Sequence, residues 1–235
     1  MTPVAGCAGS SRPGAKIVAM SFLLRVHVLD RPGSLGALAT ALGSAGADIL
    51  SVDVVERGDG FAVDDLVVDL PRGALPDALI TAAELLDGVR VDSVRPYTGV
   101  LDTHRELELI DHVAATIGDR LQVLVDGIPR VLRVGWATVV HSGSDGPYRL
   151  VGSPASPETR IARMPWFPLL APTALDSTAS WVPAAWQEMD TTLAVAPLGS
   201  SEQVLMVGRP GGPEFRPSEV ARLGHMAGIV ATVLR

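Results

Sequence analysis

The sequence predicts an α+β fold in two units. From Met20 to Tyr97, strand-like and helix-like apolar runs follow in the order β-α-β-β-α-β. From about residue 125 to Arg235, short apolar runs bounded by turn residues precede one closing helical run. Between them, Leu101 to about Leu124 carries apolar residues at helical spacing.

The first strand alternates strictly. Phe22, Leu24, Val26 and Val28 share one face, and Leu23, Arg25, His27 and Leu29 the other. Asp30-Arg31-Pro32-Gly33 is a turn, and the first helix then carries Leu35, Leu38, Ala39 and Leu42 on one side. Gly43 to Gly46 ends it. A second strand, Asp48 to Arg57, enters the turn Gly58-Asp59-Gly60, a strong hairpin signal, and the third strand is Phe61 to Leu70. Pro71 to Pro76 breaks it. Leu75, Leu79, Ala82, Ala83 and Leu86 mark a second helix, and Val89 to Val94 the last strand. This order is that of a ferredoxin-like unit, two helices on one face of an antiparallel sheet.

The run from Leu101 to Leu124 is predicted as one amphipathic connecting helix over 99–124, with Leu109, Ile110, Val113, Ile117, Leu121 and Leu124 on its buried side. Strands follow near Val131–His141 and Tyr148–Val151, then a Pro- and Trp-rich stretch, 153–186, without clear period. Thr192–Pro197 and Gln203–Arg209 are further strands. A final helix starts at Pro217-Ser218 and buries Val220, Leu223, Met226, Ala227, Val230 and Leu234. Residues 1–19 are Gly, Ser and Pro rich and are expected to form a disordered extension, or to precede a true start at Met20. Val4-Ala5-Gly6-Cys7 has the look of a lipoprotein cleavage box, but only three residues stand before it, so it is taken as coincidence.

Composition narrows the chemistry. The chain is 47% hydrophobic and 19% charged, with a net charge of −7, which argues against nucleic acid as a partner. Lys16 is the single lysine, so a Walker-type loop is excluded and a lysine Schiff base is disfavoured. Cys7 is the single cysteine, which excludes an intrachain disulfide and a cysteine-built zinc site. No apolar run reaches membrane-spanning length, and a cytoplasmic location is expected. Catalytic constellations are weak throughout. Ser142 and Ser144 near His141 lack a nucleophile elbow. His104 and His112 are eight residues apart, where a helical metal pair needs four. Neither a catalytic group, a metal nor a cofactor is expected.

Three segments carry a resemblance in the first unit: D-R-P-G-S-L-G at 30–36, G-A-D-I at 46–49 and V-R-V-D-S-V-R-P-Y at 89–97. With the element order, they make residues 20–98 resemble the ACT domain, a ligand-binding module of amino-acid-regulated proteins. The resemblance implies a homodimer with an amino acid at the interface. The implied site is Asp30, Arg31, Pro32, Gly33, Ser34, Leu35 and Gly36 of one copy, completed by Asp48 and Ile49 of the other.

The residues suit this mode. Gly33 and Gly36 permit close backbone approach, and Ser34 is placed to cap the helix. The amides at Ser34, Leu35 and Gly36 can hold an α-carboxylate, with roughly 0.3–1 kcal/mol from the helix dipole. Asp30 can accept an α-ammonium. The same segment also reads as an ordinary strand-to-helix turn. Serine-binding members of the family present a histidine and two asparagines where this chain has Val28, Asp30 and Asp48. Two carboxylates repel a second anion, which favours a basic or neutral amino acid over an acidic one. His27 is expected to be solvated, and Asp64, Asp65 and Asp69 to lie on a solvated sheet face and a strand end.

In the second unit, L-A-V-A-P-L-G at 193–199, V-L-M-V-G-R-P at 204–210 and E-F-R-P-S-E-V-A-R-L-G-H-M-A-G-I-V-A at 214–231 resemble the end of a GAF domain. Residues 125–235 are therefore expected to form a GAF-like antiparallel sheet flanked by helices. The whole resembles ACT-domain regulatory proteins of the actinobacterial type. Without a cysteine there, a bilin thioether is excluded. Trp166, Phe167, Trp181 and Trp186 could line an apolar pocket or fill core, and His225 reads as a packing or surface residue. The expected function is a non-enzymatic sensor that passes amino-acid binding through the connecting helix to the second unit. The alternative is a ligand-free regulatory subunit that docks an unidentified protein through the first sheet and that helix.

Overall fold

The computed structural model describes residues 20–97, 104–158 and 161–235. The expected extension 1–19 and the start of the expected connecting helix lie outside the described residues. The first unit is β1 (Met20–Leu29), α1 (Ser34–Ser44), β2 (Asp48–Gly58), β3 (Phe61–Leu70), α2 (Asp77–Glu84) and β4 (Arg90–Pro96). The strands form one antiparallel sheet in the order β2-β3-β1-β4. The alternation in β1 does what it predicts. Phe22, Leu24, Val26 and Val28 join Leu38 and Leu42 of α1, and Leu79 and Ala83 of α2, in one core. The hairpin between β2 and β3 turns on Asp59 and Gly60, both at positive φ, as a tight antiparallel turn requires.

The second unit is α3 (Arg105–Ala115), α4 (Arg120–Leu132), β5 (Trp136–Gly143), β6 (Gly146–Gly152), β7 (Thr173–Leu175), α5 (Ala184–Glu188), β8 (Thr192–Ser200), β9 (Gln203–Arg209) and α6 (Pro217–Val233). Its antiparallel sheet runs β6-β5-β9-β8-β7. Both faces are covered. Ala137, Val139, Ala196, Leu205 and Val207 meet α3, α4 and α6. On the other face, Trp136, Val140, Val195 and Met206 meet the Pro- and Trp-rich stretch through Met164, Leu169, Val182 and Trp186.

The predicted single helix ending near Leu124 is corrected to two. Thr116 is extended (φ −75°, ψ 133°) and Gly118 stands at φ +106°, so the helical path stops. Ile117, expected on the buried side, is 98% exposed. The Thr116 hydroxyl donates to the His112 carbonyl, and Arg120 Nε donates to the Thr116 carbonyl, closing the break. Leu109 and Val113 of α3, with Leu124, Val125 and Ile128 of α4, pack on the second sheet. The predicted strand from Val131 begins instead at Trp136, because α4 continues to Leu132.

Candidate functional site

The chain from Asp30 to Gly36 is exposed except for half-buried Ser34. Gly33 sits at φ +92°, a conformation that L side chains rarely adopt, and it occupies the cap position of α1. Ser34 is thus the first helical residue, not the cap, and makes no side-chain cap hydrogen bond. Its N–H donates to the Arg31 carbonyl at 3.2 Å, and Ala37 N–H donates to the Gly33 carbonyl at 2.9 Å. Leu35 and Gly36 N–H donate to no backbone carbonyl among the described residues. Two amides at the positive end of α1 therefore face outward, with open space where a Cβ on Gly33 or Gly36 would stand.

Beside the loop the field is acidic. Asp30 is exposed, with Arg57 Nε at 4.0 Å from its carboxylate. Asp64, expected on a solvated face, is 3% exposed, and its Oδ1 meets no donor among the described residues. Its position in β3 aligns it with core residues Ala62 and Leu66, so it cannot reach open solvent. Burial pushes its carboxyl above the ordinary range; Arg57 opposes this, and the charges of Asp30 and Asp65 add to it. Asp48 and Ile49 do not join the loop within one chain. Asp48 pairs with Asp69 at the Met20 end of the sheet, while the loop leaves the Leu29 end, roughly 30 Å away at strand rise.

The opposite sheet face is not solvated either. Arg25 and Asp65 are 1% and 2% exposed because the start of α6 and the end of β9 lie over them. Arg25 donates to both Asp65 oxygens at 2.7 and 2.9 Å, and to both Glu219 oxygens at 2.9 Å. Arg209 Nη2 donates to Glu219 Oε1 at 2.6 Å, and Arg216 N–H donates to Glu219 Oε2 at 2.9 Å. Arg133, at φ +54° just past α4, reaches Asp65 at 3.3 Å and also contacts Asp53. His27, expected in solvent, lies 2.7 Å from both Asp92 Oδ2 and Arg216 Nη2. Burial pushes the Glu219 carboxyl up, but the Arg25 hydrogen bonds and the Arg209 and Arg25 charges outweigh it and hold it at about 2. Burial pushes the Arg25 guanidinium down, and the hydrogen bonds to Asp65 and Glu219 outweigh that, leaving it raised. Sequence reasoning missed this network because its members lie up to 194 residues apart. The faint signal was an arginine and an aspartate at directly paired positions, Arg25 and Asp65.

In the second unit, a cavity of about 640 Å³ opens beside β5 and β6, lined by Trp136, Tyr148, Arg149 and Trp186 among others. The Trp136 and Trp186 rings are 5.1 Å apart, and each Nε1–H is buried without an acceptor among the described residues. Trp166 instead stacks on Phe167 at 4.5 Å and meets Trp181 edge-on. Trp136 was not singled out from sequence. His225 is exposed on α6, and the described residues hold no cluster fit for a metal ion.

The first unit is thus a βαββαβ sheet with an open, glycine-bearing strand-to-helix loop. Residues 22–84 match the family model described as the ACT domain, which gives this unit a regulatory, small-molecule-binding character. No curated protein matches the chain. Among solved structures, an unknown protein from Galdieria sulphuraria is 12% identical, with 92% of this chain and 91% of that chain covered and a TM-score of 0.32. A formyltetrahydrofolate deformylase from Pseudomonas putida KT2440 is 10% identical over 39% of this chain and 36% of its own, with a TM-score of 0.26. Both scores are too low to carry fold or function.

Proposed function

We propose that this is a non-enzymatic regulatory protein that binds an amino acid at Asp30–Gly36 and couples binding to its second unit. One observation carries the reading: the amides of Leu35 and Gly36 donate to no backbone carbonyl among the described residues, and the loop's Asp30 acts by its charge on the buried Asp64, whose Oδ1 meets no donor among them. That pairing complements a zwitterion, carboxylate on the amides and ammonium on the acids. The excess of carboxylate favours a basic or neutral amino acid.

The loop is exposed and gives half of an enclosure. A second copy supplies the rest through Asp48 and Ile49, in a homodimer. The uncovered edge of β2, with Leu50, Val52 and Val54 exposed, supports such a contact. The second unit, on this reading, is GAF-like, and the signal reaches it across the Arg25–Asp65–Glu219 contact rather than along a free helix. The docking alternative has less free surface on the first sheet, because α6 and β9 cover its face at Arg25 and Asp65.

Isothermal calorimetry against the standard amino acids tests the proposal. Binding at micromolar to millimolar affinity, lost on Asp64→Asn, is expected. Silence toward every amino acid at millimolar concentration would sink it.

A further inference from the structure

Between the two units lies a second cavity, of about 460 Å³, lined by Arg95, Arg130, Arg133 and Arg209 together with apolar residues such as Leu23 and Pro210. Among the described residues its lining contains no carboxylate. Arg133 is answered by Asp65 and Asp53, and Arg209 by Glu219. Arg95 has no ion-pair partner among the described residues. Its Nε and Nη2 are sealed from solvent and meet no acceptor among the described residues, and Arg209 Nε is in the same condition. A guanidinium stays charged in a protein, so it cannot escape this cost by losing a proton. Burying an unpaired charge is expensive, and a crevice with four cations on its wall concentrates anions.

We propose that this crevice binds a small oxyanion, a carboxylate or a phosphate, which completes the charge balance between the two units. The volume lies within the range of small-molecule sites, and guanidinium groups pair well with both anion types. The pull on Arg95 agrees with this. Burial lowers its guanidinium to about 10, helped by the charges of Arg209 and Arg25, with Asp65 and Glu219 only partly opposing. The site lies on the sheet face opposite α1, so it stands independently of the amino-acid reading at Asp30–Gly36.

The test is thermal unfolding of the full chain at constant ionic strength. Chloride is replaced stepwise by inorganic phosphate, acetate or citrate at millimolar concentration. At least one oxyanion should raise Tm in a saturable way, and which one does so separates phosphate from carboxylate. Arg95→Met should unfold no earlier than wild type in chloride and should lose the oxyanion increment. Arg130→Met, at an exposed position of α4, should keep the fold and weaken oxyanion affinity roughly tenfold. Equal Tm in every anion, or an increment kept in Arg95→Met, would overturn the site.

Discussion

Glu219→Gln tests whether the two units are joined by charge. The carboxylate accepts four hydrogen bonds, two from Arg25, one from Arg209 and one from the Arg216 backbone. Glutamine keeps the shape, but its amide nitrogen must face a donor, and the negative charge is gone. Arg25 then retains Asp65, Arg209 retains the Pro213 carbonyl at 3.2 Å and the Phe215 ring at 4.2 Å, and the amide nitrogen faces an N–H donor in either orientation. A carboxyl held at about 2 against its ordinary 4.5 corresponds to roughly 3 kcal/mol of preference for the ionised form. Breaking a buried pair independently suggests about 3–5 kcal/mol, since stranded cations remain. Urea denaturation at pH 7 should therefore show a loss near 3 kcal/mol. Because the folded value lies below the ordinary one, the contribution is complete above about 4.5 and fades as pH falls toward about 2. The gap between wild type and variant should close over that window. A loss under about 1 kcal/mol, or a gap independent of pH, would mean that water screens the network and the ion pairs do not hold the units together.

Three further outcomes follow from particular positions. Asp64→Asn should raise stability at neutral pH by on the order of 1 kcal/mol while removing amino-acid binding. Its advantage should grow as pH rises through the carboxylate range, since burial favours the protonated acid; a melting series in pH shows it. Gly36→Ala places a methyl in open space on α1, so stability should rise by roughly 0.5–1 kcal/mol while calorimetric affinity falls. Unchanged affinity would remove the helix N-terminus as the carboxylate seat. Gly33→Val is a poorer test, since φ +92° strains valine whatever binds. Gly208→Ala puts its methyl inside the Trp136 ring surface, so it should cost about 1–3 kcal/mol and shift tryptophan fluorescence.

The first unit was legible because its signals are local. Alternation in β1, positive-φ residues at the β2–β3 turn and the apolar stripe of α1 each act within a few residues. The second unit was legible where strands alternate and α6 repeats, and obscure from 153 to 186, where loops pack by aromatic contact without period. The two-helix break had a local signal, Gly118-Asp119, which the apolar stripe on either side outweighed. Arg25, Asp65 and His27 could not be read correctly, since a polar residue on a sheet's outer face looks the same under water as under α6. Only the fold brings Glu219 to them.

On the proposed reading, Asp64 and Asp65 link the loop to the network. They are neighbours on β3, and the pleat sends them to opposite faces. Asp64 feels the charges of Asp30 and Arg57 on the loop side, while Asp65 binds Arg25 and Arg133 on the other. A cation drawn toward Asp64 relieves a buried charge on one face of a strand whose other face is fixed by ion pairs. On that reading, a shift of β3 that favours the ligand also moves Asp65 against Arg25 and Arg133. Such coupling, on the proposed reading, is reciprocal: the factor by which a bound ligand changes the Glu219–Arg25 contact equals the factor by which that contact changes ligand affinity. A binding module with its second face in open solvent would have no such constraint, and here that face is covered at Arg25 and Asp65.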